Sequence, residues 1–204
     1  MGPSRFSFAM SAELARLFFA CALPRGIGAA LIERTAMFAG RGRPTCIEDL
    51  HLTLAFLGAL PRERIDAAKR VGESLAGSPG FALRLDCLGA FARSSVIWAS
   101  SVEPCAGLFM FQAGLVAALG GAGFAIDDTP FRPHVTLLRR AKLPGTFPML
   151  APLDWPVSGF ALFESRPVVS GPRYSPLGEW RLGDDQTQRL EASSSHSSLG
   201  ESRV

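Results

Sequence analysis

Apolar runs of strand length alternate along this sequence with longer stretches of helical spacing. Residues 17–23 form an apolar run that ends at Pro24 and predict a buried strand, and residues 27–38 predict a helix after it. The other predicted elements are strands over residues 51–58, 81–85, 96–104, 134–140, 160–165 and 174–182 and helices over residues 61–75 and 108–119. Many short strands with a few helices are typical of the α+β class.

The order of the predicted elements occurs twice. In the first half a strand ends at Pro24, a helix follows, and the next strand begins at His51, which is 27 residues further on. In the second half a strand ends at Pro104, a helix follows, and the next strand begins at His134, 30 residues further on. This near-equal spacing indicates a duplicated unit and predicts two similar lobes.

The composition supports a single folded domain. Hydrophobic residues make up 48% of the 204 residues, which excludes a mostly disordered chain. We expect a leader over residues 1–15, one bilobal domain over residues 16–183, and a disordered, serine-rich tail over residues 184–204. The net charge is +3, and the tail has four acids and two arginines, so the domain itself is at +5. That charge excludes the heavy basic excess of a histone-like protein.

The cysteines and the lengths of the apolar runs restrict the environment. No apolar run approaches the roughly 18 residues that a membrane helix needs, so we expect no membrane association. The four cysteines are scattered and form no C-x-x-C pair, which argues against a zinc site and against a disulfide framework. We therefore expect reduced thiols and a cytoplasmic protein.

The candidate chemistry lies in the two histidines of the predicted domain. His51 and His134 each begin a predicted strand, and Thr53 and Thr136 follow them at a distance of two residues. Residues i and i+2 of a strand share a face, so each motif presents an imidazole and a hydroxyl on the same side. If a pseudo-two-fold axis relates the halves, the two faces can meet across a groove.

Two facing imidazoles suit acid–base chemistry at phosphorus. With an ordinary pKa of ~6.5, one imidazole can take a proton from an attacking oxygen while the other gives a proton to the leaving oxygen. The threonine hydroxyls can donate hydrogen bonds to the non-bridging oxygens, where charge grows in the transition state. This scheme needs no metal.

Residues 51–54 (H-L-T-L) and 134–137 (H-V-T-L) resemble the paired H-x-T-x signatures of the two-histidine (2H) phosphoesterase superfamily. More closely, residues 15–183 resemble its bacterial RNA 2′,3′-cyclic phosphodiesterase family, historically called 2′-5′ RNA ligases. The resemblance implies an α+β fold of two pseudo-symmetric lobes, with antiparallel sheets and flanking helices around a central cleft. It also implies a monomer that acts on RNA and needs no cofactor or metal.

The resemblance also implies an activity and a role for each site residue. The activity is hydrolysis of an RNA 2′,3′-cyclic phosphate to a 2′-phosphate, with reversible 2′-5′ ligation as a related reaction. His51 would donate a proton to the leaving 3′ oxygen, and His134 would activate water. Thr53 and Thr136 would hold the phosphate, together with Arg139, which matches a family arginine three residues after the second threonine.

Several residues near the motifs have two interpretations. Arg139 is five residues after His134, so a regular strand would place it on the other face, and it reaches the phosphate only if the strand bends or ends there. Phe56 has the equivalent place in the first motif and is either a stacking surface for a base or an ordinary core residue. Arg43 and Arg132 are either RNA-backbone contacts or solvated surface arginines.

Two other functions stay open at this point. One is a 2H phosphoesterase that acts on a different nucleotide, such as a 2′-5′ oligonucleotide or a cyclic nucleotide. The other is a non-catalytic module that binds RNA ends, although binding alone would not require two titrating imidazoles. The glycine-rich residues 40–42 and 120–123 match neither a P-loop nor a dinucleotide fingerprint, which disfavours a ligase with its own ATP site.

Overall fold

The computed structural model describes residues 13–168 and 171–183. The strands are β1 (Leu14–Ala22), β2 (Arg43–Pro44), β3 (His51–Pro61), β4 (Phe81–Leu85), β5 (Cys87–Phe91), β6 (Val96–Ser100), β7 (Val135–Arg139), β8 (Leu153–Val157), β9 (Gly159–Val168) and β10 (Gly171–Arg181). The helices are α1 (Arg25–Arg34), α2 (Ile65–Ser74) and α3 (Ala106–Gly121). Residues 1–12 of the predicted leader and all of the predicted tail lie outside the described residues.

Among the described residues, eight strands form one antiparallel sheet in the order β10-β9-β1-β3-β7-β6-β5, with β2 paired to β7. The two strands that carry the histidine motifs, β3 and β7, are neighbours near its middle, with Leu52 opposite Val135. The units β1-α1-β3 and β6-α3-β7 lie on either side of this junction, which confirms the predicted α+β fold of two pseudo-symmetric lobes. The junction joins the strands of both lobes into a single sheet.

The hydrophobic core lies between one face of this sheet and the three helices. Leu17 and Phe19 of β1 alternate toward this face and are almost completely buried, and Leu115 of α3 packs into the same cluster. Helix α2 lies close against β10 because Gly72 has no side chain: a Cβ there would lie 2.4 Å from the ring of Trp180. With the helices on one face, the opposite face of the sheet is left for the cleft.

Three strands, the two-residue β2 together with β5 and β8, occur where the sequence pattern predicts none. Strand β5 reads Cys-Leu-Gly-Ala-Phe and has no clear alternation of polar and apolar residues. Strand β8 contains Pro156, which a central strand would not tolerate. It is tolerated here because β8 pairs only with β4 in a separate two-stranded sheet, where every strand is an edge.

Candidate active site

A cleft of about 940 Å³ is lined by all six of the predicted site residues. These are His51, Thr53, Phe56, His134, Thr136 and Arg139. The structure therefore brings the two motifs together, as the duplicated pattern predicts. The remaining residues around the cleft are Arg16, Leu17, Phe18, Gly58, Phe91, Ser94, Val96, Ser165 and Tyr174.

The pairing of β3 with β7 sets the arrangement of the four motif side chains. Extending the register at the junction by one residue each way places His51 beside Thr136 and Thr53 beside His134. Side chains that lie directly opposite each other have Cβ atoms about 4.5–5.5 Å apart. Each imidazole therefore has the hydroxyl of the other motif as its neighbour, and a single phosphate can contact both pairs.

Each histidine ring is held by the same backbone hydrogen bond. Nδ1 of His51 lies 2.7 Å from the carbonyl oxygen of Asp49, and Nδ1 of His134 lies 2.7 Å from that of Arg132. A carbonyl oxygen can only accept, so Nδ1–H donates in both cases. This fixes the tautomer and makes Nε2 of each ring the nitrogen that can accept a proton.

Each ring also has an aromatic neighbour that contacts it edge-on. The ring centroids of Tyr174 in β10 and His51 are 4.9 Å apart, with an interplanar angle of 82°. Those of Phe91 in β5 and His134 are 4.8 Å apart, with an angle of 86°. These two residues come from opposite flanks of the sheet and restrict the orientation of the imidazoles. The motifs alone do not predict them, although Tyr174 is the one tyrosine in the sequence.

Burial makes both imidazoles weaker bases than a free histidine. It lowers the pKa of His51 from 6.5 to about 4 and also lowers the pKa of His134. The positive charge of Arg139 lowers both pKa values further, whereas the hydrogen bonds to the backbone carbonyls act in the opposite direction. Without a bound anion, both rings are therefore mostly neutral at pH 7.

A β-bulge directly after Thr53 brings Phe56 to the cleft. Thr53 and Ala55 lie opposite consecutive residues of β1, so Leu54 is an extra residue in β3. Leu54 and Ala55 are both buried, which resets the alternation and brings Phe56 back to the face of Thr53. Phe56 is 64% exposed and is therefore not a core residue.

The same bulge occurs after Thr136 in β7. Thr136 and Leu138 lie opposite consecutive residues of β6, so Leu137 is the extra residue. Leu137 and Leu138 are both buried, and Arg139 returns to the cleft face. The bulge is thus the strand irregularity that Arg139 needs in order to face the cleft.

The two other predicted arginines lie near the second motif. Arg43 of β2 is registered directly opposite Arg139. Arg132 is exposed, and its carbonyl oxygen accepts the hydrogen bond from His134.

In the described part of the chain no group of three or more His, Cys, Asp or Glu side chains is arranged to hold a metal ion. Over the same residues, no helix combines the length and the apolar character needed to span a membrane.

Comparison with known proteins identifies the relatives of this chain. Residues 32–167 match the sequence profile of the 2′-5′ RNA ligase superfamily. The RNA 2′,3′-cyclic phosphodiesterase of Escherichia coli (strain K12) is 37% identical over 174 residues, which are 83% of this chain and 98% of that protein. The RNA 2′,3′-cyclic phosphodiesterase of Thermus thermophilus is 37% identical over 188 residues, which are 85% of this chain and 95% of that protein.

Structural comparison finds proteins of the same kind as the sequence comparison. The crystal structure of E. coli LigT in apo form superposes with a TM-score of 0.76 at 35% identity and covers 84% of this chain and 99% of LigT. A crystal structure described as a phosphoesterase gives a TM-score of 0.77 at 36% identity with the same coverage. The family inferred from the two motifs is thereby confirmed: this chain belongs to the 2′-5′ RNA ligase superfamily.

Proposed function

We propose that this protein is an RNA 2′,3′-cyclic phosphodiesterase that opens a terminal 2′,3′-cyclic phosphate to a 2′-phosphate. The observation that carries the proposal is the pair of imidazoles, His51 and His134, in one cleft, with Nδ1 of each held by a backbone carbonyl. The relatives at 37% identity carry the same name. The two motifs supply the acid, the base and two hydroxyl donors for this hydrolysis.

The reaction is one displacement at phosphorus. Nε2 of His134 takes a proton from a water molecule as its oxygen forms a bond to phosphorus. The bond between phosphorus and the 3′ oxygen breaks, and Nε2–H of His51 gives its proton to that oxygen. The product carries the phosphate on the 2′ oxygen, and exchange of one proton with solvent restores both histidines.

The phosphate is held by neutral and charged donors. The hydroxyls of Thr53 and Thr136 and the guanidinium of Arg139 donate to the non-bridging oxygens, where negative charge increases during the reaction. Phe56 offers an exposed ring at the cleft on which the terminal base can stack. These roles use all six of the site residues and require no cofactor.

The negative charge of the substrate promotes protonation of His51, the general acid. His51 must be protonated to donate, although burial lowers its pKa to about 4. The anionic cyclic phosphate raises that pKa when it binds, because an opposite charge within a few ångströms favours the protonated ring. Substrate binding and protonation of His51 are therefore coupled. The same groups support 2′-5′ ligation when a ribose 5′-hydroxyl takes the place of water.

The proposal is tested by product analysis. The purified full chain is incubated with an oligonucleotide that ends in a 2′,3′-cyclic phosphate, with EDTA present, and phosphorus NMR identifies the product isomer. We expect a 2′-phosphate and an unchanged rate in EDTA. A 3′-phosphate product would contradict the assigned leaving group. Turnover only of 2′-5′ oligonucleotides would show that these, and not cyclic phosphates, are the substrate. Tight binding without turnover would identify an RNA-end binding module.

A further inference from the structure

Three segments of the chain near the second motif are basic and contain no acidic residue. They cover residues 36–47, 87–102 and 129–153. Together they contain seven cations, whereas the net charge of the entire chain is +3. The cations are Arg41, Arg43, Arg93, Arg132, Arg139, Arg140 and Lys142. A surface built from these segments has a strong positive potential.

Backbone contacts bring the three segments together at the end of β7. The amide of Lys142 donates to the carbonyl oxygen of Arg41, and the amide of Ala141 donates to that of Ser95 in the β5–β6 turn. Gly42 allows the close approach, because a Cβ there would lie 2.8 Å from Cα of Ala141. Five cationic residues, which we call the basic edge, therefore lie on adjoining segments, next in the chain to Arg139 and Ser94, which line the cleft. The basic edge consists of the half-buried Arg43 and the exposed Arg41, Arg93, Arg140 and Lys142.

The pairing within this region is unfavourable unless an anion is present. Arg43 and Arg139 lie directly opposite each other in β2 and β7, so their side chains leave the sheet on the same face. Like charges in that position repel each other and destabilise the strand pair. Over residues 13–168 and 171–183, no member of the basic edge is within salt-bridge distance of an acid. Phosphate groups would compensate these charges.

The basic edge contains more cations than one terminal phosphate can use. Thr53, Thr136 and Arg139 already suffice for the cyclic phosphate. Building on the function proposed above, we propose that the basic edge binds the backbone phosphates of the nucleotides that precede the cyclic end. The natural substrate is then an RNA chain that leaves the cleft past Arg139 and Ser94, and a single cyclic nucleotide is a poor substitute for it.

The test compares two substrates and two double variants. The substrates are a nucleoside 2′,3′-cyclic phosphate and a short oligonucleotide that ends in the same group. In Arg93→Gln/Arg140→Gln we expect kcat/KM for the oligonucleotide to fall about tenfold, while kcat/KM for the mononucleotide stays unchanged. The slope of log kcat/KM against log salt for the oligonucleotide should become shallower by about 1.4, because each lost contact to a single strand removes about 0.7.

The matched control removes the same charge from the helical side of the sheet. Lys69→Gln/Arg70→Gln on α2 should leave both substrates and the salt slope unchanged. The proposal is overturned if Arg93→Gln/Arg140→Gln leaves the oligonucleotide rate unchanged, if both substrates lose activity equally, or if the control variant has the same effect.

A binding measurement separates this proposal from the proposed activity. Fluorescence anisotropy with a labelled oligonucleotide that ends in a 2′-phosphate reports binding without turnover. We expect the wild-type protein to bind it about tenfold more tightly than Arg93→Gln/Arg140→Gln does at low salt. Equal affinities refute the basic edge even if the cyclic phosphate is hydrolysed, and unequal affinities support it even if hydrolysis is absent.

Discussion

The two halves of the cleft share the same backbone features but differ in the side chains that face the cleft. His51 is the first residue of β3, and His134 directly precedes β7. In both halves Nδ1–H of the histidine donates to the carbonyl two residues earlier, and an aromatic ring contacts the imidazole edge-on. In both halves a bulge follows the threonine by one residue. After the bulge the first half presents Phe56, and the second half presents Arg139.

The surroundings of the histidines differ as well. The ring centroids of Phe18 and Tyr174 lie 5.2 and 4.9 Å from that of His51. Among the described residues, Phe91 is the one aromatic ring found near His134. Desolvation consequently lowers the pKa of His51 to about 4. The basic edge lies beside the second motif, where β2 of the first half pairs with β7. A duplicated framework thus produces two different sides, one aromatic and one cationic, and the predictions below test that difference.

The largest expected effect comes from removing either imidazole. His51→Ala and His134→Ala should each lower kcat at least about a hundredfold on a cyclic-phosphate oligonucleotide, because each removes a general acid or base. The double variant should be little worse than the poorer single variant, since the two groups act as a unit. Steady-state kinetics measures both, and near-normal turnover in either single variant would contradict the mechanism.

A substrate with a 3′ sulfur in place of the 3′ oxygen distinguishes the two roles. Sulfur leaves as a thiolate and needs little protonation, so this substrate should restore much of the rate of His51→Ala. It should not restore the rate of His134→Ala, where water activation is lost. Rescue of the other variant alone would reverse the assignment of acid and base.

The charge of Arg139 should have the next largest effect. Arg139→Gln should lower kcat/KM about ten- to hundredfold, because it removes a charge-assisted hydrogen bond to the phosphate. Arg139 lowers the pKa of both histidines, so its removal should shift the pH–rate profile toward alkaline pH. In Arg139→Lys, which keeps the charge, we expect the pH profile to stay in place while activity is reduced. A profile that does not move in Arg139→Gln would argue against its electrostatic role.

The burial of His51 should be visible in the stability of the protein. The pKa of His51 is lower in the folded state than in the unfolded chain, so the unfolded chain takes up a proton first as the pH falls. The free energy of unfolding therefore has its full value above pH 6.5 and decreases as the pH falls from 6.5 toward 4. At pH 5 this loss amounts to about 2 kcal/mol in the free energy of unfolding. Urea unfolding at pH 7 and pH 5 should therefore show a smaller pH dependence in His51→Gln than in the wild type. An equal or larger reduction in His134→Gln would remove the difference between the halves.

The smallest effect is expected for the aromatic side of the cleft. Phe56→Ala should raise KM about tenfold and leave kcat nearly unchanged, because stacking holds the base but does not move a proton. Phe56→Tyr keeps the stacking surface and should behave as the wild type. A loss of kcat at constant KM in Phe56→Ala would instead place Phe56 among the groups that act on the transition state.

Local pattern was sufficient to predict the two motif faces. The period-two alternation around His51 and His134 predicts that each histidine shares a face with its threonine, and the repeated order of elements predicts that the two faces meet. Both motifs do line one cleft. The alternation cannot show where it is interrupted, so the orientations of Phe56 and Arg139 could not be predicted from the sequence. The bulges that set them depend on pairing with β1 and β6.

The aromatic partners are missing from the sequence-based prediction for a related reason. Tyr174 is 123 residues from His51 in the sequence, and Phe91 lies in a strand whose apolar pattern is irregular. Their contacts result from the order of strands in the sheet, which a single sequence does not reveal. The basic edge likewise becomes visible only when hydrogen bonds place residues 41–43, 93–95 and 139–142 side by side.

The extra leucine in each motif strand has a consequence for protein engineering. One additional residue changes the parity of a strand, so every position after it exchanges sides. A designer who grafts residues 134–139 onto a regular strand would therefore obtain a correctly aimed histidine and threonine but an arginine aimed into the scaffold's interior. The same graft without Leu137 would restore the parity and aim the arginine at the substrate, one residue closer to the threonine. The transplantable unit is thus the motif together with its irregularity, or a shortened motif on a regular strand.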